Sequence, residues 1–294
     1  LMDALRLYRA LDRRGAFPAL TWYSPEGRVE LSGRVAANHL AKIAGYLLED
    51  VWIEPGAAVI LDCRPGFKQV LWGLGSLLAG AHVTVADPPG RGLVTATGDA
   101  PSGMPAAVNG ASGRELAAVV TDAPERWVDA MASGVEVLAV APAPLAMQWI
   151  GEPLPPGARD ASAEVMGASD TLVDETAHEN SNWSVWESVE GADGGHRDDQ
   201  AISAQDDQAS DAYPDQESST HPDQESSTHP DQESSTHPDQ AASEASAQLL
   251  VAPSAAQALA AAARSLAAVR LIVVENPEEA ERIRIAENID EVRH

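Results

Sequence analysis

Across 294 residues there are 45 acidic and 19 basic side chains, for a net charge of −26, and aromatics make up only 4%. Residues 160–248 hold 22 of those acids against one base, Arg197, about −21 in all, which argues against nucleic acid and anionic membrane as partners of that segment because both are negatively charged. The single cysteine, Cys63, excludes an internal disulfide and a cysteine-based zinc cluster. From the start, residues 3–14 suit an amphipathic helix, with Leu5, Leu7, Tyr8 and Leu11 apolar and arginines between them. Charges recur there where a signal peptide needs an apolar run, and no stretch of about 18 apolar residues occurs anywhere, so a cytoplasmic protein is expected.

"ALTWYSPEGRVELS" (19–32) reads as a hairpin, with strands at Thr21–Tyr23 and Val29–Leu31 around Pro-Glu-Gly. Ser32 is placed to cap a helix over 33–49, where Ala36, Leu40, Ile43 and Leu47 recur at helical spacing. Two runs, Ala57–Leu61, continuously apolar, and Val83–Ala86, apolar but for Thr84, predict strands buried on both faces, as in a parallel sheet. Between them a helix over 66–79 presents Phe67, Val70, Leu71, Leu74 and Leu78. Its Gly73 and Gly75 would each cost about 1 kcal/mol in an exposed helix, so close packing is expected there. The pattern recurs as strand Leu116–Val120, helix Asp122–Met131 and strand Val135–Val140. A proline-rich stretch, "APAPLAMQWIGEPLPPGARD", then runs to Asp160.

Apolar periodicity is absent over 161–248. The octapeptide repeated in "HPDQESSTHPDQESST" fits neither helical nor strand periodicity and has no residue able to build a core, so disorder is expected. Its His221, His229 and His237 read as members of a duplicated polar unit and not as metal ligands. "NSNWSVWESVE" differs, because Trp183, Trp186 and Val189 fall three apart on one face of a helical turn. Tryptophans in such a segment call for a docking surface, either the chain's own domain or a protein partner. Beyond it come a helix over Ala255–Ala268, a strand at Arg270–Val274 and a helix capped by Asn276, and a further strand is due at "NIDEVRH". Residues 1–160 and 249–294 together read as one α/β domain, mostly parallel and three-layered, interrupted by the acidic insert 161–248.

The hairpin, the helix "GRVAANHLAKIAGYLL", "PGAAVILDCRPG" and "LLAGAHVTVADP" together resemble the N-terminal subdomain of the AMP-binding superfamily, which includes acyl-CoA synthetases and peptide-synthetase adenylation domains. The order through "AAVVTD" and "VEVLAVAPAPLAM" is more similar still to short AMP-binding-like proteins of unknown function from high-GC bacteria. "LLVAPSAAQALAAAARSLAAVRLIVVENPEEAERI" resembles a later strand–helix unit of the same subdomain. The resemblance implies adenylate chemistry with ATP and magnesium, which needs a Ser/Thr/Gly-rich phosphate loop ending Pro-Lys, a Thr-Glu motif for the metal and a lid lysine. None of these is matched. "TATGDAPSGMP" (95–105) and "NGASGRE" (109–115) are the Gly/Ser-rich candidates, and neither ends in lysine.

Asp62 and Asp87 stand at the carboxyl ends of two parallel strands, the edge where ligands bind in open α/β sheets, although turn and cap carboxylates occupy the same positions. Cys63 lies between a strand and a helix start, a place that can activate a thiol but more often packs one. The sequence reads as a non-catalytic relative of adenylate-forming enzymes that uses no cofactor. It would bind a ligand near Asp62, Cys63 and Asp87, or a protein through Trp183, Trp186 and Val189. The other reading is a cryptic or partner-dependent AMP ligase.

Overall fold

The computed structural model describes residues 4–86, 115–172, 189–190, 246–289 and 291–293. Asp87, both Gly/Ser-rich stretches up to residue 114, Trp183, Trp186 and the octapeptide repeats lie outside them. One unit takes in Leu1–Asp193 and Ala242–His294; the other, Gly194–Ala241, contains no described residue.

The N-terminal half follows the sequence pattern closely. Helix α1 (Ala4–Arg14) buries Leu5, Leu7, Tyr8 and Leu11. Strands β1 (Pro18–Ser24) and β2 (Gly27–Ser32) pair antiparallel around Pro25 and Glu26, and Gly27 takes a φ of 128° that favours glycine. The Ser32 side chain accepts from the Val35 N–H and starts α2 (Gly33–Gly45), which runs on as a π-helical turn over Tyr46–Asp50. Next come β3 (Ala58–Asp62), α3 (Phe67–Leu78), β4 (His82–Val85) and β5 (Leu116–Thr121). The helix predicted over 122–131 is a 3-10 turn at Pro124–Trp127 followed by a short α4 (Val128–Ala132). It leads to β6 (Glu136–Ala139) and, after the proline-rich stretch, β7 (Ala158–Asp160).

Ordered elements continue past residue 160. Helix α5 (Ala161–Glu164) and a 3-10 turn at Val165–Gly167 follow directly, and β8 (Val189–Glu190) pairs parallel with β4. Side chains explain why 158–168 is held. The Lys42 ammonium donates to the carbonyls of Met166 (3.2 Å) and Ala168 (2.6 Å), and the Ser162 hydroxyl accepts from the Ala141 N–H. The Tyr46 hydroxyl donates to Glu164 (2.8 Å), which Arg159 also pairs. Burial, then the bond to Glu164, pushes the Tyr46 phenol well up, so it remains a donor. The rest of the chain supplies β9 (Ala247–Val251), α6 (Ala255–Ser265), β10 (Arg270–Val274), α7 (Ala280–Ala286) and β11 (Glu291–Arg293).

The α/β, mostly parallel class holds, and the strands divide between two sheets. One runs β11-β9-β10-β1-β2 and the other β7-β6-β5-β3-β4-β8, all pairs parallel except β1 with β2. Helices α1, α2, α3 and α6 lie between them, in one cluster that includes Leu11, Leu40, Leu74 and Leu259 with Val59 and Leu61 of β3 and Leu271 and Val273 of β10. The alternate residues of the same strands face outward into smaller clusters. Ala58 and Ile60 pack with Ala130 of α4, and Ile272 and Val274 with Ile283 of α7. Each sheet is therefore the middle of three layers, which is why both strands read as continuously apolar and not alternating.

Gly73 and Gly75 make the shared helix layer fit. A Cβ at Gly73 would lie 2.6 Å from a Leu259 methyl, and one at Gly75 would lie 2.5 Å from Ile43 Cγ2. The two glycines set α3 against α6 and α2, which offsets their poor helix propensity of about 1 kcal/mol each.

Candidate functional site

Parallel strands all emit their chains from the same edge, and here the carboxyl ends of strands from both sheets converge on one cleft of about 380 Å3. The β5 and β6 ends contribute Asp122, Val140 and Ala141, and the proline-rich stretch adds Pro142 and Pro144. From the other sheet come Trp22, the turn residues Pro25 and Glu26, Ala252 and Pro253 after β9, and Glu275 after β10. Between them lies the β3–α3 connection, residues 63–66, with the first turn of α3, Phe67, Lys68 and Gln69. Ala252 takes a φ of 43°, a left-handed conformation held by its N–H bond to Val274 (2.7 Å).

Both cations of the cleft are committed. Lys68 donates to the carbonyls of Ala141 (3.0 Å), Ala143 (2.7 Å) and Ala146 (2.9 Å), and so ties the proline-rich stretch to α3. Burial lowers its ammonium below the usual lysine range. Arg64 pairs with Asp122 at 2.8 Å. On the opposite wall the Trp22 indole N–H donates to Glu275 (2.6 Å). Burial raises the Glu275 carboxyl more than that bond lowers it, and Glu26 adds to the rise.

Gln69 differs from every other residue of the cleft. It is 1% exposed, and neither its amide oxygen nor its amide nitrogen has a hydrogen-bond partner. A buried polar group left unmet costs about 1–3 kcal/mol, so this amide is the least satisfied feature of the cleft.

The sequence candidates separate. Cys63 lines the cleft, but its thiol donates to the Val120 carbonyl (3.5 Å), and burial followed by Asp122 and Asp62 pushes it far above the usual thiol range. It is a packed thiol. Asp62 is buried beside the cleft and accepts from the Trp127 indole at 2.8 Å, with Arg126 at 3.8 Å, as a strand-end cap joining β3 to the 3-10 turn. Asp87 lies outside the described residues. Trp183 and Trp186 do too, and Val189 stands in strand β8 where a helical turn was expected. Lys68, Gln69 and Glu275 belong to no motif in the sequence. The one available signal was rarity: Lys68 is one of two lysines, and Gln69 follows it in the first turn of an otherwise apolar helix. Among the described residues no cluster of His, Cys, Asp and Glu is arranged to hold a metal, and no helix is long and apolar enough to cross a membrane.

No family model and no curated protein matches this sequence. Solved structures similar to it include an acyl-CoA synthetase from Brucella canis, 20% identical over 58% of this chain and 28% of that one, with a TM-score of 0.40. A benzoate CoA ligase from Burkholderia xenovorans LB400 is 19% identical over 57% of this chain and 29% of its own, with a TM-score of 0.39. An amide bond synthetase from Marinactinospora thermotolerans is 13% identical over 99% of this chain, with a TM-score of 0.47. The chain spans less than half the length of these structures, from 28% to 48%.

Proposed function

We propose that this chain is a ligand-binding α/β domain, a non-catalytic relative of the adenylate-forming enzymes, and that it binds a small molecule in the strand-end cleft. The observation that carries this reading is Gln69, a buried amide with no partner, set at the meeting point of both sheets' carboxyl edges. The charges of the cleft argue against holding a triphosphate. Adenylation depends on neutralising the phosphates and aligning them for attack. Lys68 is bound to three carbonyls and Arg64 to Asp122, while Glu26 and Glu275 stand opposite. Losing a single preorganised donor typically removes about 3 kcal/mol of transition-state stabilisation.

The test is calorimetry with ATP and magnesium, together with pyrophosphate release from a panel of carboxylic acids. No binding in the micromolar range and no turnover above background are expected. Micromolar ATP binding, or turnover by the chain alone, would overturn the reading and establish the ligase instead.

A further inference from the structure

We propose that the cleft takes a small neutral ligand carrying a primary carboxamide on a flat apolar body, and that Gln69 is the group that recognises it. This rests on the ligand-binding reading above. The Gln69 carboxamide lacks partners on both its donor and its acceptor. A ligand that presents one acceptor and one donor side by side satisfies both in a two-bond ring. A carboxylate presents acceptors only, and would leave the Gln69 oxygen unmet and facing a negative charge. The uncapped first turn of α3 would favour an anion. Against it stand the carboxylates of Glu26 and Glu275 in the same cleft, and cations already held by protein oxygens. A neutral carboxamide avoids that conflict.

The remaining walls set the body of the ligand. Trp22, Phe67, Pro65 and Pro253 offer flat apolar surface, and about 380 Å3 is at the small end for a ligand pocket. An aromatic ring with one carboxamide fits that description. The Gln69 amide is closed off from solvent. Turning it toward a ligand breaks no hydrogen bond.

The experiment uses the full chain and two probes of nearly the same shape, benzamide and benzoate, followed by ligand-observed NMR and calorimetry. Benzamide is expected to bind at least about tenfold more tightly than benzoate. The Gln69→Leu variant is expected to lose about tenfold or more of benzamide affinity, while the melting temperature of the free protein holds or rises, because an unpaired buried amide has been removed. Should Gln69→Leu fail to fold, Gln69→Met keeps the unbranched shape and serves the same comparison. Equal or tighter binding of benzoate, or full benzamide affinity in the variant, would overturn the carboxamide inference and leave the ligand-binding reading standing. Failure of both probes, with no other fragment perturbing the cleft, would overturn both.

Discussion

Replacing Lys68 by methionine is expected to lower stability by about 2–3 kcal/mol, with the damage concentrated in the proline-rich stretch. Methionine keeps most of the aliphatic stem and removes the ammonium. That ammonium donates to Ala141, Ala143 and Ala146, three backbone carbonyls in a segment with no regular structure of its own. A single hydrogen bond to a charged group contributes about 1.5–3 kcal/mol after exchange with water. The net is smaller here, because burial disfavours the ammonium and lowers its pKa. For a unit of this size the expected loss corresponds to roughly 5–10 °C in melting temperature. Hydrogen exchange should rise most at the amides of 141–150, while Ala118–Thr121 in β5 remains protected. An unchanged melt with unchanged exchange would show that the ammonium does not hold this stretch.

Arg270→Leu is the second large effect, at about 2–3 kcal/mol. Arg270 is 18% exposed and joins three elements: it pairs with Glu30 of β2 at 2.7 Å and Glu287 after α7 at 3.0 Å, and donates to the Thr21 hydroxyl of β1 at 2.9 Å. Leucine leaves two carboxylates with fewer partners between the hairpin and the helix. Tyr23 still donates to Glu287, and Arg28 still reaches both acids, so the loss is below that of a fully buried pair. A pH signature accompanies it. Burial would raise the Glu287 carboxyl, but the Tyr23 bond and the Arg270 and Arg28 guanidiniums outweigh it and hold it below the usual glutamate range. A carboxyl lowered in the folded state contributes stability that is complete above its unfolded pKa, about 4.3, and is lost as pH falls through its folded value. The gap between wild type and Arg270→Leu should therefore narrow as pH drops below about 4.3. A gap independent of pH would mean that the Glu287 pair contributes nothing.

How far the sequence carried depended on the range of the interactions. Ser32 and Asn276 were legible as caps because a cap satisfies backbone groups within a few residues, and both are seen. Strands β3 and β10 were legible because burial on both faces leaves an apolar run. That β10 pairs with β1 and not with β3 was not legible, since Leu20 and Leu271 meet across the whole chain and neither run signals its neighbour. That regular elements continue past 160 was not legible for the same reason: the carbonyls of Met166 and Ala168 are held by Lys42, far earlier in sequence. At the cleft, strand ends were the right place to look, and they brought Cys63 in. The residue that distinguishes the site, Gln69, is marked by partners it lacks, and a missing partner has no sequence pattern.

The most direct measurement of the central claim follows the tryptophan indole signals of the nitrogen-labelled full chain by NMR during a screen of small amides. Trp22 lies in the cleft and its indole N–H is bonded to Glu275, whereas Trp127 lies outside it, bonded to Asp62, and Trp149 bonds the Glu152 carbonyl in an exposed loop. A bound ligand is expected to shift the Trp22 signal saturably and leave Trp127 and Trp149 in place. Binders that move only Trp127 or Trp149, or that bind and leave the Trp22 signal where it was, would contradict the account.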